Sequence, residues 1–317
     1  MQVIRGLHNL RSEHRGCVAT IGNFDGVHLG HRAVFRHLKE KALDLSLPTT
    51  VVTFEPQPWE FFAPEQAPAR LTRMREKLQA LKDNGIDRVV LLEFGHKLAA
   101  MPAQEFVEEL LVIGLGVRYL LIGDDFRFGQ GRTGDIDLLQ RIGQEQGFGV
   151  ENMNTFAMGE ERVSSTRIRQ ALAQGDLEQA ERNLGRPYRI CGRVAHGDER
   201  GRTIGFPTAN INLHRRVSPL RGVYAVLVHG LGTTPLTGVA NIGTRPTVEG
   251  DPRYLLEVHL FDFKRQIYGE HVQVEFRLKL RDEKRFESFE ALRQQIQRDV
   301  EAAQAFFGIP IAGSRNS

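Results

Sequence analysis

The 317-residue chain has little of what marks secreted, membrane or metal-cluster proteins. Its two cysteines, Cys17 and Cys191, stand far apart, which excludes a disulfide framework or a cysteine-based zinc cluster. No apolar run approaches the roughly 18 residues that a membrane helix needs. Residues Met1–Leu10 include polar and charged residues and lack the apolar centre of a signal peptide. We therefore expect a cytoplasmic protein with no membrane partner.

Charge of one sign is also scarce. The chain has 42 Lys and Arg against 39 Asp and Glu, a net charge of +3, which is too mild to indicate a nucleic-acid partner. The composition, 41% hydrophobic and 26% charged, is that of a globular chain. This length favours two domains over one. None of these quantities determines the oligomeric state.

The most informative stretch is Gly22–His31, Gly-Asn-Phe-Asp-Gly-Val-His-Leu-Gly-His. It follows a short apolar run, Val18–Ile21, which predicts a buried strand, and it precedes a segment whose apolar spacing predicts a helix. Open α/β sheets bind ligands outside the carboxyl ends of their strands. Glycines beside the free N–H groups of a helix N-terminus suit a phosphate group.

His28 and His31 in this stretch lie three residues apart. If both occupy the first helical turn, their rings project from one side of the helix. Two imidazoles beside a phosphate can donate hydrogen bonds to the oxygens of a pentacoordinate phosphorus as their charge grows. Two other interpretations stay open: structural histidines at a helix end, and a metal pair, although a catalytic zinc usually takes three protein ligands.

The rest of the first half alternates strands with helices. Buried strands are predicted at Thr49–Phe54, Val89–Leu92 and Val117–Ile122, and helices at Thr72–Asn84 and from Pro102 onward. Such alternation predicts a parallel sheet with helices on both faces.

Two later loops in this half carry polar residues in suggestive places. The loop Gly123–Gly129 follows a predicted strand, where its Asp and Arg side chains suit a nucleotide or are generic loop residues. The segment Ser164–Arg169 opens a helix, for which Ser and Thr are ordinary N-caps. Arg167 and Arg169 oppose the helix dipole in that first turn, so their presence favours an anion bound there.

The pattern changes near residue 185. Gly185–Pro187 ends the helical spacing, and short alternating runs typical of an all-β unit follow. The stretch up to Leu213 is rich in glycine and predicts loops. Within it, Arg200 and Arg202 flank Gly201, which suits either a phosphate-binding loop or a solvated surface turn.

One carboxylate interrupts an otherwise regular strand. In Tyr254–Phe261, alternate residues point to opposite faces, so Glu257 leaves the face that is entirely apolar. The usual fate of such a glutamate is solvation. A phosphoryl-transfer site, however, needs a group that accepts a hydroxyl proton. A final helix is predicted from near Ser288 to Phe307, with an apolar stripe for packing.

In order and spacing, these segments resemble the bacterial bifunctional riboflavin kinase/FAD synthetase (FMN adenylyltransferase) family. Gly22–His31 resembles the His-x-Gly-His signature of nucleotidylyltransferases, and Pro207–Asn210 resembles the flavokinase signature. The resemblance covers about residues 21–307. The chain departs from the family at Gln57 and Trp59, where the family usually has His and Arg.

The resemblance implies a fold and an activity for each part of the chain. Residues 1–184 would form a doubly wound, parallel-sheet α/β nucleotidylyltransferase domain, and residues 185–317 a small antiparallel β-barrel kinase domain with a C-terminal helix. The kinase would phosphorylate riboflavin to FMN with ATP and magnesium. The other domain would then adenylylate FMN to FAD and release pyrophosphate.

The resemblance also implies functional residues. The catalytic residues would be His28, His31 and Glu257, the last as general base on the riboflavin 5′-hydroxyl. Threonine and asparagine oxygens suit a hard cation, and the implied ligands of Mg²⁺ are Thr208 and Asn210. The implied nucleotide-binding residues are Gly22, Asn23, Phe24, Asp25, Gly30, Asp125, Ser165, Thr166, Arg169, Gly201 and Gly205.

Two rival functions remain. A single-activity adenylyltransferase for another acceptor would use the β unit only as a platform, and it would leave riboflavin unchanged. A nucleotide-sensing or RNA-binding protein is the non-enzymatic alternative. The mild charge and the lack of an aromatic-basic pattern argue against the second.

Overall fold

In the computed structural model the chain divides into two compact units, residues 1–68 with 72–165 and residues 69–71 with 166–317. The structure describes residues 1–153, 157–158, 161–196, 205–213, 216–245 and 253–310. The boundary between the two activities, which we place after residue 184, stays a prediction.

The first unit is a six-stranded sheet covered by helices. Its strands are β1 (Gln2–Arg5), β2 (Cys17–Ile21), β3 (Thr49–Glu55), β4 (Arg88–Glu93), β5 (Val117–Gly123) and β6 (Gly149–Met153). Its helices are α1 (Leu29–Leu45), α2 (Pro58–Phe62), α3 (Met74–Asp83), α4 (His96–Ala99), α5 (Ala103–Phe106, continued by the π-helical Val107–Gly114) and α6 (Ile136–Gln146). Two-residue strands β7 (Ala157–Met158) and β8 (Glu161–Arg162) form a separate pair.

All six strands of the sheet run parallel, in the order β1-β4-β3-β2-β5-β6. Strand β2 is buried throughout, and its alternate residues enter different cores. Val18 packs with Phe35 and Leu38 of α1 on one face. Cys17 and Ala19 pack on the other, with α5 and α6. The doubly wound parallel sheet is therefore confirmed.

The outer strands β1 and β6 were not predicted from the sequence. Only Ile4 of β1 is buried, and β6 has no fully buried residue. A strand at the edge of a sheet needs few apolar residues, so its pattern carries no strong signal. The inner strands, which are buried on both faces, were predicted within one or two residues of their observed ends.

The second unit is a closed barrel with flanking helices. Its elements are α7 (Ser165–Gln174, of which Ser165 belongs to the first unit), α8 (Leu177–Leu184), β9 (Arg189–Ala195), β10 (Ala209–Asn212), β11 (Gly222–His229), β12 (Leu236–Arg245), β13 (Arg253–Leu260), β14 (His271–Arg281) and α9 (Phe289–Phe307). The six strands close in the order β10-β13-β12-β11-β14-β9, with every pairing antiparallel. The barrel and its terminal helix are confirmed.

The prediction of loops up to Leu213 was wrong for two segments, because strands β9 and β10 lie within it. Gly192, which we took as a loop signal, is a packing position. A β-carbon there would collide with the side chain of Ile211 on β10. Ile190 and Val194 point into the barrel core on either side of it.

Helices α7 and α8 contribute to the core of the barrel unit through Ile168, Leu172 and Leu184. Asp176 caps α8 by accepting a hydrogen bond from the backbone N–H of Gln179, at 2.8 Å. Among the helices that the structure describes, none combines the length and the apolar character that spanning a membrane requires.

Candidate active sites

The Gly22–His31 stretch leaves the carboxyl end of β2, between β3 on one side and β5 on the other. The chain order reverses direction at this strand, which is the point where open α/β sheets place ligands. The stretch turns tightly: Gly26 has φ of 86°, and Phe24 and Val27 have φ of 46° and 44°. A positive φ is uncommon for non-glycine residues and is held only by surrounding contacts.

Asp25 supplies such contacts. Its buried carboxylate accepts hydrogen bonds from the backbone N–H of Thr72 at 2.9 Å and from the Thr72 hydroxyl at 3.1 Å. The same hydroxyl accepts a bond from the N–H of Gly26 at 3.0 Å. Asp25 therefore fixes the loop, while its contact with a nucleotide stays a prediction. No sequence pattern singles out Thr72, which we assigned to a helix that begins only at Met74.

Phe24 also turns inward. Its ring packs against Phe35 of α1 at 5.0 Å and meets the edge of His31 at 5.1 Å. A β-carbon on Gly22 would lie 3.0 Å from the Phe24 ring, so that glycine makes room for it. The structure thus places Phe24 in the apolar core, and its nucleotide role stays a prediction.

His28 is the N-cap of α1. Its Nδ1 accepts a hydrogen bond from the backbone N–H of His31 at 3.3 Å. An accepting Nδ1 carries no proton, so the neutral ring has its N–H at Nε2. The imidazole is nine-tenths or more buried, and Gly30 approaches it closely enough that a β-carbon would lie 3.2 Å away. His28 therefore has a structural role at Nδ1 and a donor at Nε2.

The ring of His31 stacks on that of His28, with centroids 3.6 Å apart and planes 17° apart. This is the one-sided placement that the spacing predicts. Burial, followed by the charges of His28 and Lys77, holds the pKa of His31 well below its ordinary value of 6.5. Its buried Nδ1 has no hydrogen-bond partner in the part of the chain that the structure describes. A neutral His31 can donate through its other nitrogen.

A metal pair at these histidines finds no support from neighbouring ligands. Across the described ranges, no three His, Cys, Asp or Glu side chains gather closely enough to hold a metal ion. The neighbouring cation is instead Lys77 of α3, whose side chain has no exposed surface. Its Nζ donates to the Thr53 hydroxyl at 3.5 Å. Helical spacing in the sequence did not reveal either residue.

The other predicted residues of this site have different placements. Asn23 lies in the loop itself, and its buried Oδ1 has no hydrogen-bond partner in the described structure. The Ser165 hydroxyl donates to the backbone carbonyl of Asp25 at 2.9 Å, which ties the start of α7 to the loop. Asp125 follows β5, the neighbour of β2, so its exposed side chain leaves the same edge of the sheet.

Thr166 and Arg169 belong to the second unit. Thr166 is exposed, and the Nε of Arg169 donates to the carbonyl of Ala69 at 2.6 Å. Gln57 is buried and Trp59 is exposed over 59% of its surface, and their departure from the family stays a prediction. The Nε2 of Gln57 has no hydrogen-bond partner among the described residues.

The second unit has a cavity of about 420 Å³ between the barrel and α9. Polar and apolar groups both line it. Its polar side chains include Thr208 just before β10, Asn241 of β12, Glu257 and His259 of β13, and Glu283 in the loop after β14. From α9, apolar side chains such as Leu292 and Ile296 close it.

Glu257 stands at the centre of a polar row on this cavity. On β13 it lies directly opposite Asn210 of β10 on one side and Asn241 of β12 on the other. Its neighbours Leu256 and Val258 point into the barrel core. The alternation therefore placed Glu257 correctly on the non-core face. Asn241 was not predicted from the sequence. Its side chain is near Glu257 because the β-carbons of directly opposite residues on antiparallel strands lie about 5 Å apart.

Thr208 and Asn210 present oxygen donors beside that carboxylate. Thr208 lines the cavity, and Asn210 is buried. A hydroxyl and a carboxamide oxygen next to a carboxylate make a donor set that fits Mg²⁺. Gly205, with φ of 88°, begins the turn before them. Gly201 lies outside the described residues.

His259 fixes this turn. Its Nδ1 donates to the carbonyl of Pro207 at 2.9 Å, and its ring meets the edge of Phe206 at 5.4 Å. Arg281, which also lines the cavity, forms a two-pronged ion pair with the buried Asp299 of α9 at 2.8 to 3.0 Å. This pair connects β14 to α9 at the cavity wall.

Glu283 is a second carboxyl group at the cavity, in the loop after β14. Partial burial raises the pKa of Glu283 above its ordinary value of 4.5, although Arg221 and Arg281 act against this. The charge of Glu257 raises it further, which indicates that the two carboxyl groups act on each other. The chemistry of the cavity suits a reaction that handles both a hydroxyl proton and phosphate charge.

Comparisons with known proteins assign a family to each half of the chain. The FAD synthetase family model matches residues 10–167, and the riboflavin kinase family model matches residues 184–307. The bifunctional riboflavin kinase/FMN adenylyltransferase of Escherichia coli K12 is 56% identical over 98% of this chain and 99% of its own. The Pseudomonas fluorescens protein of the same name is 55% identical, over 96% of this chain and 97% of its own.

A solved structure, described as a macrolide-efflux protein from Streptococcus pneumoniae, has a TM-score of 0.81 and 31% sequence identity. The match covers 96% of this chain and 99% of that one. The similarity thus extends over both units and is not limited to one motif. The chain belongs to the family of bifunctional riboflavin kinase/FMN adenylyltransferases.

Proposed function

We propose that this chain makes FAD from riboflavin in two ATP-dependent steps, each at its own site. The protein is a riboflavin kinase and an FMN adenylyltransferase, as its family is. The placement of Glu257 between Asn210 and Asn241 carries the assignment of the kinase step to the barrel cavity. We assign the kinase to residues 185–317, the adenylyltransferase to residues 1–184, and both to the cytoplasm.

In the first step, Glu257 accepts the proton of the riboflavin 5′-hydroxyl while the oxygen attacks the γ-phosphorus of ATP. The bond to the β-phosphate oxygen breaks, and FMN and ADP result. Thr208 and Asn210 would hold Mg²⁺, which, when bound, neutralises charge on the ATP phosphates. Gly201 and Gly205 would let the backbone approach those phosphates.

In the second step, a phosphate oxygen of FMN attacks the α-phosphorus of another ATP, and pyrophosphate leaves. His28 donates from Nε2–H and His31 from its second nitrogen to the oxygens on the pentacoordinate phosphorus, where negative charge grows. Neither forms a covalent bond. Around them, the nucleotide would be bound by Gly22, Asn23, Phe24, Asp25, Gly30, Asp125, Ser165, Thr166 and Arg169.

Two single variants test this assignment, because each activity serves as the folding control for the other. We expect His28→Ala to abolish FAD formation and to leave FMN formation from riboflavin intact. Glu257→Ala should stop FMN formation and spare FAD formation from supplied FMN. The measurement is the rate of each step with its own substrate. Equal loss of both steps in either variant would contradict two separate sites.

The same assays separate the rival functions. A single-activity adenylyltransferase for another acceptor would consume neither riboflavin nor FMN. A salt-titrated RNA-binding assay examines the non-enzymatic alternative, for which the mild net charge predicts weak and salt-sensitive association.

A further inference from the structure

Lys77 is a buried cation for which the two-step chemistry above has no use. Its side chain has no exposed surface, although lysine is almost never fully buried unless it is paired. Burial of an ammonium group is costly in free energy, so a buried lysine needs compensating contacts. Lys77 lies in the second turn of α3, a helix that starts just after Thr72, the residue that holds Asp25.

The contacts of Lys77 lead to the phosphate loop. Its Nζ donates to the Thr53 hydroxyl at 3.5 Å, and that hydroxyl donates to the backbone carbonyl of Asn23 at 3.4 Å. Thr53 is fully buried near the carboxyl end of β3. One hydroxyl therefore connects the ammonium group to the backbone of the Gly22–His31 stretch.

The charge of Lys77 also acts on His31. Burial, then His28, then Lys77 hold the pKa of His31 well below 6.5. These two are the charged or titratable groups whose effect on His31 is resolved in the described structure, one from the loop and one from α3. The carboxylate of Asp25, in the same loop, is held by Thr72. Burial, with this cation adding to its effect, keeps His31 uncharged through the neutral range of pH.

We propose that Lys77 is a positioning residue for adenylyl transfer: from behind the loop, its ammonium group holds the end of β3 and sets the electrostatic environment of His31. The inference rests on the adenylyltransferase function proposed above. Lys77 has no exposed surface, so it acts through Thr53, Asn23 and His31 and touches no substrate.

The test replaces Lys77 with Met, which has a similar length and no charge. The matched control is Lys82→Met, on the exposed side of the same helix. We expect Lys77→Met to lower kcat for FMN adenylylation about tenfold or more and to move the acid limb of its pH profile to higher pH. Lys82→Met should change neither, and riboflavin phosphorylation should persist in both.

A second variant separates the two parts of the proposal. Thr53→Val removes the connecting hydroxyl and keeps the charge, so kcat should fall while the acid limb stays in place. NMR titration of the His31 ring, without substrate, gives a readout independent of activity: its pKa should rise in Lys77→Met and not in Lys82→Met or Thr53→Val.

An unchanged His31 titration in Lys77→Met would overturn the electrostatic part, and a full rate in Thr53→Val would overturn the positioning part. Failure of the wild-type protein to adenylylate FMN would instead refute the proposed function. The NMR result would still test Lys77 in that case.

Discussion

Gly243 shows how one missing side chain shapes the kinase cavity. It lies on β12, opposite Leu255, and it borders the cavity. A β-carbon at this position would collide with the carboxyl group of Glu283. The glycine therefore lets Glu283 approach the strand and the neighbouring Glu257.

We predict that Gly243→Ala lowers kcat/KM for riboflavin phosphorylation about tenfold, which corresponds to about 1.4 kcal/mol of lost transition-state stabilisation. The added methyl group must displace the Glu283 carboxyl group. The displaced carboxyl group then either occupies space that the substrate needs or moves away from its position at the cavity. Steady-state kinetics of FMN formation measure the effect, and adenylylation of supplied FMN should not change.

A double variant identifies the cause. If displacement of Glu283 is responsible, Gly243→Ala combined with Glu283→Ala should match Glu283→Ala alone. Gly232→Ala is the control, since the nearest atom to its new β-carbon, the Thr234 carbonyl oxygen, lies 4.0 Å away. Independent, additive effects of the two changes would refute the explanation.

At the residue scale, the sequence predicted the side chains that form a recognisable motif. It missed the side chains whose importance comes from contacts with residues distant in the chain. The spacing of His28 and His31 predicted that their rings lie on one side of the helix, where they stack. Strand alternation predicted the face of β13 on which Glu257 lies. Only the structure shows the roles of Thr72 and Lys77, because their hydrogen-bond partners, Asp25 and Thr53, are distant from them in the chain.

At the element scale, terminal helix α9 both packs and lines the cavity. Its N-cap is Ser288, whose hydroxyl accepts a hydrogen bond from the N–H of Ala291 at 3.1 Å. In the first two turns of the helix, Phe289, Leu292 and Ile296 face the cavity. A well-formed first turn of α9 therefore helps to determine the shape of the proposed riboflavin site.

We predict that Ser288→Ala destabilises this helix by about 1 kcal/mol and raises KM for riboflavin by up to about fivefold. Ser288→Asp, which retains a cap acceptor, should restore the wild-type KM. Kinetics of riboflavin phosphorylation, together with thermal unfolding, measure both. Identical KM values in the Ala and Asp variants would show that capping does not control the site.

The elements that the sequence identified well are those with one dominant signal. Strands β2 and β3 are almost entirely buried and rich in apolar and β-branched residues, and α9 begins directly after the cap residue Ser288 that marked its start. Strand β9 was missed because glycine, here Gly192, is typical of turns. In the structure this glycine is required by the side chain of Ile211 on β10, which leaves no room for a β-carbon. A pattern along one chain cannot show which glycine faces a distant side chain.

At the scale of the whole molecule, two unrelated cores are joined in one chain. The parallel sheet and the barrel each have their own hydrophobic core, and each carries one candidate site. The product of the barrel reaction is the substrate of the other. This sequence of two reactions predicts a time course of product formation that neither site predicts alone.

We predict that purified protein, incubated with riboflavin, ATP and magnesium, forms FMN first and FAD after a lag. FAD forms only from FMN, so its rate must follow the accumulation of FMN. Two ATP are consumed for each FAD, with release of one ADP and one pyrophosphate. Chromatography of the flavins against time, with separate assays for ADP and pyrophosphate, measures the sequence of steps.

Each departure from this course points to one unit. FMN without FAD would place the fault in the first unit. If the departures from the family that we predict at Gln57 and Trp59 are the cause, Gln57→His with Trp59→Arg should restore FAD formation. Riboflavin left intact while supplied FMN becomes FAD would refute the kinase assignment of the barrel. A folded protein that converts neither flavin would refute both assignments.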